Sequence, residues 1–275
     1  LALRSFSPFL VVQLRTLLAA VVLGLVVLIA RRALPATRRL WLHFVVLGLI
    51  SIAMPYTLLT WAQVSVNSST AIVLSSTTPI FVFLFATFVT RTERFQTQRL
   101  IGIVIAFAGV VLLAAGGGGK NDVFWQIVIL FTSAQYGVAN IYTRRYVSGV
   151  DPMVVALLQL GFGALWMLPI TTLTGSWHAT DVEPLAVIAV FELGILGSAF
   201  AYVLFFYFIR TWGSTATSMN TYLQPAVGVL LGVLMLHERP GLAGWLAIAV
   251  IVTGVVLFGS ASLRQLAPRR PPGIM

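Results

Sequence analysis

The chain has 275 residues, 59% of them hydrophobic and 9% charged, with a net charge of +10 and no cysteine. A soluble domain carries roughly 25% charged residues, so this composition excludes a water-soluble globular protein, and the lack of thiols excludes disulfide and metal–thiolate chemistry. A strongly basic chain ordinarily raises the question of nucleic acid, but here the basic residues sit at the ends of apolar runs, which is membrane topology and implies no nucleic-acid partner.

Nine apolar spans follow one another, at about 8–30, 41–63, 69–90, 98–116, 123–143, 153–174, 185–209, 215–236 and 242–260. Each can cross a hydrocarbon core of roughly 30 Å at about 1.5 Å per residue. They predict an all-α, polytopic helical membrane protein whose partner is the lipid bilayer. The first span carries a charge, Arg15. The second carries Tyr56 and Trp61 near Pro55. The third, "LSSTTPIFVFLF" (74–85), sets Ser75 and Thr78 beside Pro79. A proline in a helix interior removes a backbone hydrogen bond and costs roughly 3 kcal/mol or more. The fourth span ends in the glycine loop 116–119.

On the fifth span Ser133, Tyr136 and Asn140 recur at +3 and +4, which puts them on one helix face. On the sixth, Gln159 and Trp166 are separated by +7. The seventh carries Glu192, Tyr202 and Phe206. The eighth, "NTYLQPAVGVLL" (220–231), repeats the theme of the third, with Asn220, Thr221 and Gln224 leading to Pro225. Gly228 and Gly232 form a G-x-x-x-G that suits close packing within the chain, and the expectation is a monomer. The tail 261–275 is basic and proline-rich and reads as disordered.

Alternate connecting loops hold thirteen Arg residues on one side and only Arg4, Lys120 and Arg239 on the other. The positive-inside rule puts the arginine-rich loops and the C-terminus in the cytoplasm.

Shifted by 144–146 residues, the sequence overlays itself. "SPFLVV" (7–12) meets "DPMVVA" (151–156), Tyr56 meets Tyr202, Pro79 meets Pro225, and "GVVLLA" (109–114) meets "GVVLFG" (254–259). Five spans in the second half match four in the first. The expectation is a five-plus-five architecture in which residues 1–116 form the first repeat, 123–260 the second, and the first of ten helices lies outside this chain. An odd number of helices per repeat forces the halves into opposite orientations, the inverted repeat of many secondary transporters. Broken helices in such folds lie near the bilayer midplane, where freed backbone groups line a cavity. Pro55, Pro79 and Pro225 are the hinge candidates.

The opening "SPFLVVQLRTLLAA", the stretch "SSTAIVLSSTTPIFVFLFATFVTRTERF" and the stretch "STATSMNTYLQPAVGVLLGVLMLHERPGLAGWLAIAVIVTGVVL" together resemble the EamA-like branch of the drug/metabolite transporter superfamily. Within it they are most similar to the YddG-type amino acid exporters. The resemblance implies ten helices in two inverted halves and export of aromatic and other neutral amino acids across a bacterial inner membrane.

Polar side chains are costly against lipid, so the polar stripes should face the interior. The candidate substrate-binding residues are Tyr56, Trp61, Ser75, Thr78, Ser133, Tyr136, Asn140, Gln159, Trp166, Tyr202, Asn220 and Gln224. Hydroxyls, carboxamides and rings suit a neutral zwitterion with an apolar or aromatic side chain. A phosphate-bearing substrate would want several basic residues, and only Arg15 lies away from the ends of a span. Arg15 and Glu192 sit at similar depth and form either an ion pair or, through Glu192, a proton-coupling site. The alternative function is therefore a proton-coupled exporter of amphipathic cations. A cavity-facing Glu192 favours that alternative; a Glu192 paired with Arg15 away from the cavity favours amino acids. His43, His178 and His237 lie at span ends, far apart, with no motif for a metal, a cofactor or an enzyme's nucleophile. No ring of like charges suggests a channel.

Overall fold

The computed structural model describes residues 5–66, 71, 74–92, 95–114, 123–179, 181–223, 227 and 242–266. Pro225, Gln224 and the G-x-x-x-G pair fall outside the described residues. The fold is all-helical: α1 (Pro8–Ile29), α2 (Arg38–Gly48), α3 (Met54–Ser65), α4 (Thr78–Leu84), α5 (Thr97–Ala114), α6 (Val123–Tyr146), α7 (Pro152–Leu173), α8 (Pro184–Gly194), α9 (Ala201–Trp212), α10 (Ser214–Ser218) and α11 (Leu242–Leu266). Among the described residues four helical stretches are long and apolar enough to cross a membrane: Pro8–Ile29, Arg38–Leu59, Pro152–Leu173 and Pro184–Trp212.

Two of those stretches are not uniform α-helix. A π turn at Leu49–Ala53 joins α2 to α3, and another at Ile195–Phe200 joins α8 to α9. A π turn widens the helix by one residue per turn and disturbs the side-chain register, which is why it recurs at functional sites. Pro55 follows the first π turn directly, at the start of α3. The second forms without a proline and contains Gly197.

Helix starts follow local chemistry. Ser7 caps α1, its Oγ accepting from the Leu10 N–H at 3.3 Å, with Pro8 next. Asp151 caps α7, accepting from the Met153 N–H at 2.9 Å, with Pro152 next. A small polar cap followed by a proline at the first helical position is a strong start signal. Gly213, at φ +97°, breaks the chain between α9 and α10 in a region that an L side chain rarely enters.

Packing follows the internal repeat. Helices α1 and α7 run antiparallel: Phe9 packs with Met167, and Gly24 lies opposite Leu157. Helices α5 and α11 are also antiparallel, with Gln98 Nε2 donating to Ser260 Oγ at 3.0 Å at one end and Gly109 facing Ala247 towards the other. Equivalent glycines make equivalent approaches. A Cβ on Gly48 would lie 2.6 Å from Phe162, and one on Gly194 2.6 Å from Leu18. A Cβ on Gly109 would meet the Ile251 backbone at 2.8 Å, and one on Gly254 the Ala106 backbone at 2.4 Å. Small residues permit such contacts where lipid removes any hydrophobic drive between helices.

The largest core joins α1, α2, α7 and α9 through Leu23, Phe44, Leu47, Leu160, Phe206 and Ile209. A second joins α4, α5 and α11 through Phe83, Ile103, Val110 and Ile251. Outside these seams the surface is apolar, with Leu173, Phe124 and Trp212 all well exposed, as a bilayer requires.

Candidate functional site

Three groups of polar side chains lie inside the bundle. The first surrounds Pro79. Having no N–H, Pro79 leaves the Ser75 carbonyl without its helical donor. The Thr78 hydroxyl supplies one at 2.8 Å, and the Thr77 hydroxyl donates to Leu74 O at 2.6 Å. From across the bundle, Ser133 on α6 donates to the same Leu74 carbonyl at 3.0 Å. Ser75, Thr78 and Ser133 thus lie round one break, where the hydroxyls of Thr78 and Ser133 are engaged in satisfying the broken helix.

The second group joins α7 to the first π turn. Gln159 Nε2 donates to Ser51 Oγ, both buried, and Ser51 in turn donates to Leu47 O at 2.7 Å. Further along the same face, the Trp166 indole donates to Val45 O at 3.1 Å while 38% of the residue is exposed. Gln159 and Trp166 do share a side, and that side faces α2.

The third group lies where the two halves cross. The Tyr56 hydroxyl hydrogen-bonds the Tyr202 hydroxyl at 3.0 Å. Arg15 on α1 stands over the Tyr56 ring, its guanidinium carbon 5.5 Å from the centroid. Its Nε donates to Ser198 Oγ at 3.0 Å and its Nη2 approaches Gly197 O at 3.4 Å, both in the second π turn. Tyr136 on α6 stands beside them, its hydroxyl within the field of both Tyr56 and Arg15. Phe206 packs on Tyr202 with centroids 5.6 Å apart.

Arg15 and Gln159 occupy equivalent places in the two halves, and each bonds a π turn of the other half. Ser51 and Ser198 are not among the candidates that the sequence offers. A partial signal was there: both lie four or five residues ahead of the matched pair Tyr56 and Tyr202, although their own separation of 147 falls one residue outside the repeat offset.

Of the two alternatives for Arg15 and Glu192, the ion pair does not form. The ion pair seen among the described residues is Arg32 with Asp151 at 3.4 Å. Helix α8 turns Ala186, Val190 and Gly194 inward, and Glu192 lies round the other side, exposed beside Ile188 and Phe191. Trp61 and Asn220 are peripheral. Trp61 packs edge-on against Phe9 at 5.7 Å and is 44% exposed. Asn220 is exposed, and Asn140 is buried on α6. Among the described residues no three His, Asp or Glu side chains gather at metal-binding spacing.

Residues 1–115 and 123–260 each match the EamA-like transporter family. The chain belongs to that family. A protein from Escherichia coli (strain K12), described as the uncharacterized inner membrane transporter YedA, is 29% identical over 98% of this chain and 87% of its own. A Streptantibioticus cattleyicolor protein described as a probable terminal-alkyne amino-acid exporter is 26% identical over 78% of this chain and 72% of its own. A solved crystal structure with 23% sequence identity superposes on 95% of this chain and 90% of its own with a TM-score of 0.76, a likeness of fold. This EamA-like chain is a membrane transporter acting on small molecules.

Proposed function

We infer that this EamA-like protein exports neutral amino acids with aromatic or other apolar side chains, working as a monomer in a bacterial inner membrane with its C-terminal tail in the cytoplasm. Residues 1–116 and 123–260 act as two inverted halves that rock about the tyrosine cluster, so that the site opens to one side at a time. The π turns, Pro55 and Pro79 are the points where helix ends swing; Pro225 is assigned the same role by the repeat.

The observation that supports this reading most is the make-up of the crossing point. It offers the rings and hydroxyls of Tyr56, Tyr136 and Tyr202 beside one arginine, and Glu192 points elsewhere. An amphipathic cation would call for a carboxylate there, and a sugar phosphate for several basic groups. The amino-acid class also agrees with the wording attached to the Streptantibioticus relative, and with the likeness of the sequence to YddG-type exporters.

The test is uptake into liposomes of labelled phenylalanine, methionine, threonine and a lipophilic cation, with and without a proton gradient. Saturable amino acid flux independent of the gradient is the expected result. Gradient-driven cation flux without amino acid flux would replace this reading with a drug antiporter.

A further inference from the structure

Arg15 is a permanent cation in a membrane-spanning helix. No carboxylate lies within ion-pair distance of it among the described residues. A guanidinium carries five N–H donors. Two are directed at Ser198 Oγ and Gly197 O, and the second of those contacts is long. Three donors and a full positive charge remain at a half-buried position against the tyrosine cluster. A lone charge at this depth is expensive. The equivalent place in the other half holds the neutral Gln159, so packing at this position does not require a charge. The arginine therefore serves something other than the fold.

We propose that Arg15 is the carboxylate anchor of the translocation site. A planar guanidinium fork matches a carboxylate in two parallel hydrogen bonds, a geometry that an ammonium or an amide cannot reproduce. Ser198 and Gly197 hold the fork from one side, and the Tyr56 ring supports its face. The substrate class is then an organic carboxylate with an apolar or aromatic body, which lies against the tyrosine rings. This rests on the reading of the cluster as the substrate site, but not on the substrate being an amino acid.

The experiment uses the purified full chain and direct binding of three labelled probes: phenylalanine, 3-phenylpropionate, which keeps the carboxylate and lacks the amine, and phenethylamine, which keeps the amine and lacks the carboxylate. Phenylalanine and 3-phenylpropionate should bind saturably and phenethylamine should not. Arg15→Gln should weaken carboxylate binding by about tenfold or more, Arg15→Lys should restore part of it, and Glu192→Gln should leave it unchanged. Elution profile and helical circular dichroism check that the variants fold. If Arg15→Gln does not fold, the preference of the unaltered chain for 3-phenylpropionate over phenethylamine and the intermediate affinity of Arg15→Lys decide. Binding of phenethylamine as tight as 3-phenylpropionate, or carboxylate binding insensitive to Arg15→Gln, overturns the anchor. Arginine-dependent 3-phenylpropionate binding without phenylalanine flux keeps the anchor and removes the amino acid exporter. Phenylalanine flux with carboxylate binding indifferent to position 15 does the reverse.

Discussion

Tyr56 and Tyr202 stand 146 residues apart in the chain and join hydroxyl to hydroxyl at 3.0 Å. They are the same residue of the repeat, so the bond links the two halves at their crossing. Tyr56→Phe and Tyr202→Phe should each cost about 1 kcal/mol in SDS-induced unfolding. The double variant should cost no more than either alone, because both remove one shared bond. Additive losses would mean that the hydroxyls act separately.

The seam between α5 and α11 has no room for a methyl group. A Cβ on Gly254 would sit 2.4 Å from the Ala106 nitrogen and 2.7 Å from the Gly102 carbonyl, both backbone atoms that cannot swing away. Gly254→Ala should cost about 1–3 kcal/mol through overpacking. Gly161→Ala on α7 is the counterpart, since its Cβ would come no closer than 3.9 Å to Ala20. It should be neutral or slightly stabilising through helix propensity. Heat-induced loss of the monodisperse elution peak ranks the two.

The break at Pro79 yields a graded prediction. Thr78→Val removes the side-chain donor to Ser75 O at 2.8 Å and should cost about 1–3 kcal/mol. Ser133→Ala should cost less, because Leu74 O keeps the Thr77 hydroxyl at 2.6 Å. Thr78→Ser should recover most of the loss. Thermal unfolding in detergent gives the order, and an equal effect from Ser133→Ala would point to a second role for that hydroxyl.

Glu192 lies on the apolar outer side of α8, beside Ile188 and Phe191. Glu192→Gln should leave transport rate and its response to a proton gradient within about twofold, since no interaction energy beyond that factor is lost. A gradient dependence that vanishes in Glu192→Gln would reinstate the proton-coupled alternative.

Much of the fold was legible in the sequence because its causes are short-range. Apolar length gave the spans and the constant offset matched Tyr56 to Tyr202 as equivalent residues of the repeat, while the cap-and-proline pairs Ser7–Pro8 and Asp151–Pro152 stand at two helix starts. The π turns left no trace, since Leu49–Ala53 and Ile195–Phe200 read as ordinary apolar helix and differ from it by the shift of one residue. That shift, with the choice of which helix faces which, also hid the partner of Arg15. Depth could be read from residue count and suggested Glu192. The direction around the helix depends on Gly194 seating against Leu18, which is a contact between distant parts of the chain. The hydroxyls around Pro79 show the converse: composition announced a polar site, and only the geometry revealed how much of it serves the broken backbone.

The exchange of Arg15 for Gln159 between the two halves has an electrical consequence. In a perfect inverted repeat the two access states would be related by a two-fold axis in the membrane plane and equally populated. Under the rocking motion proposed above, Arg15 would move with one half, while its counterpart Gln159 in the other half carries no charge. Each full elementary charge moved across the bilayer is worth about 2.3 kcal/mol per 100 mV, so any part of that field crossed by Arg15 would count. On that reading the membrane voltage would bias which face the transporter presents at rest, even for a cargo with no net charge.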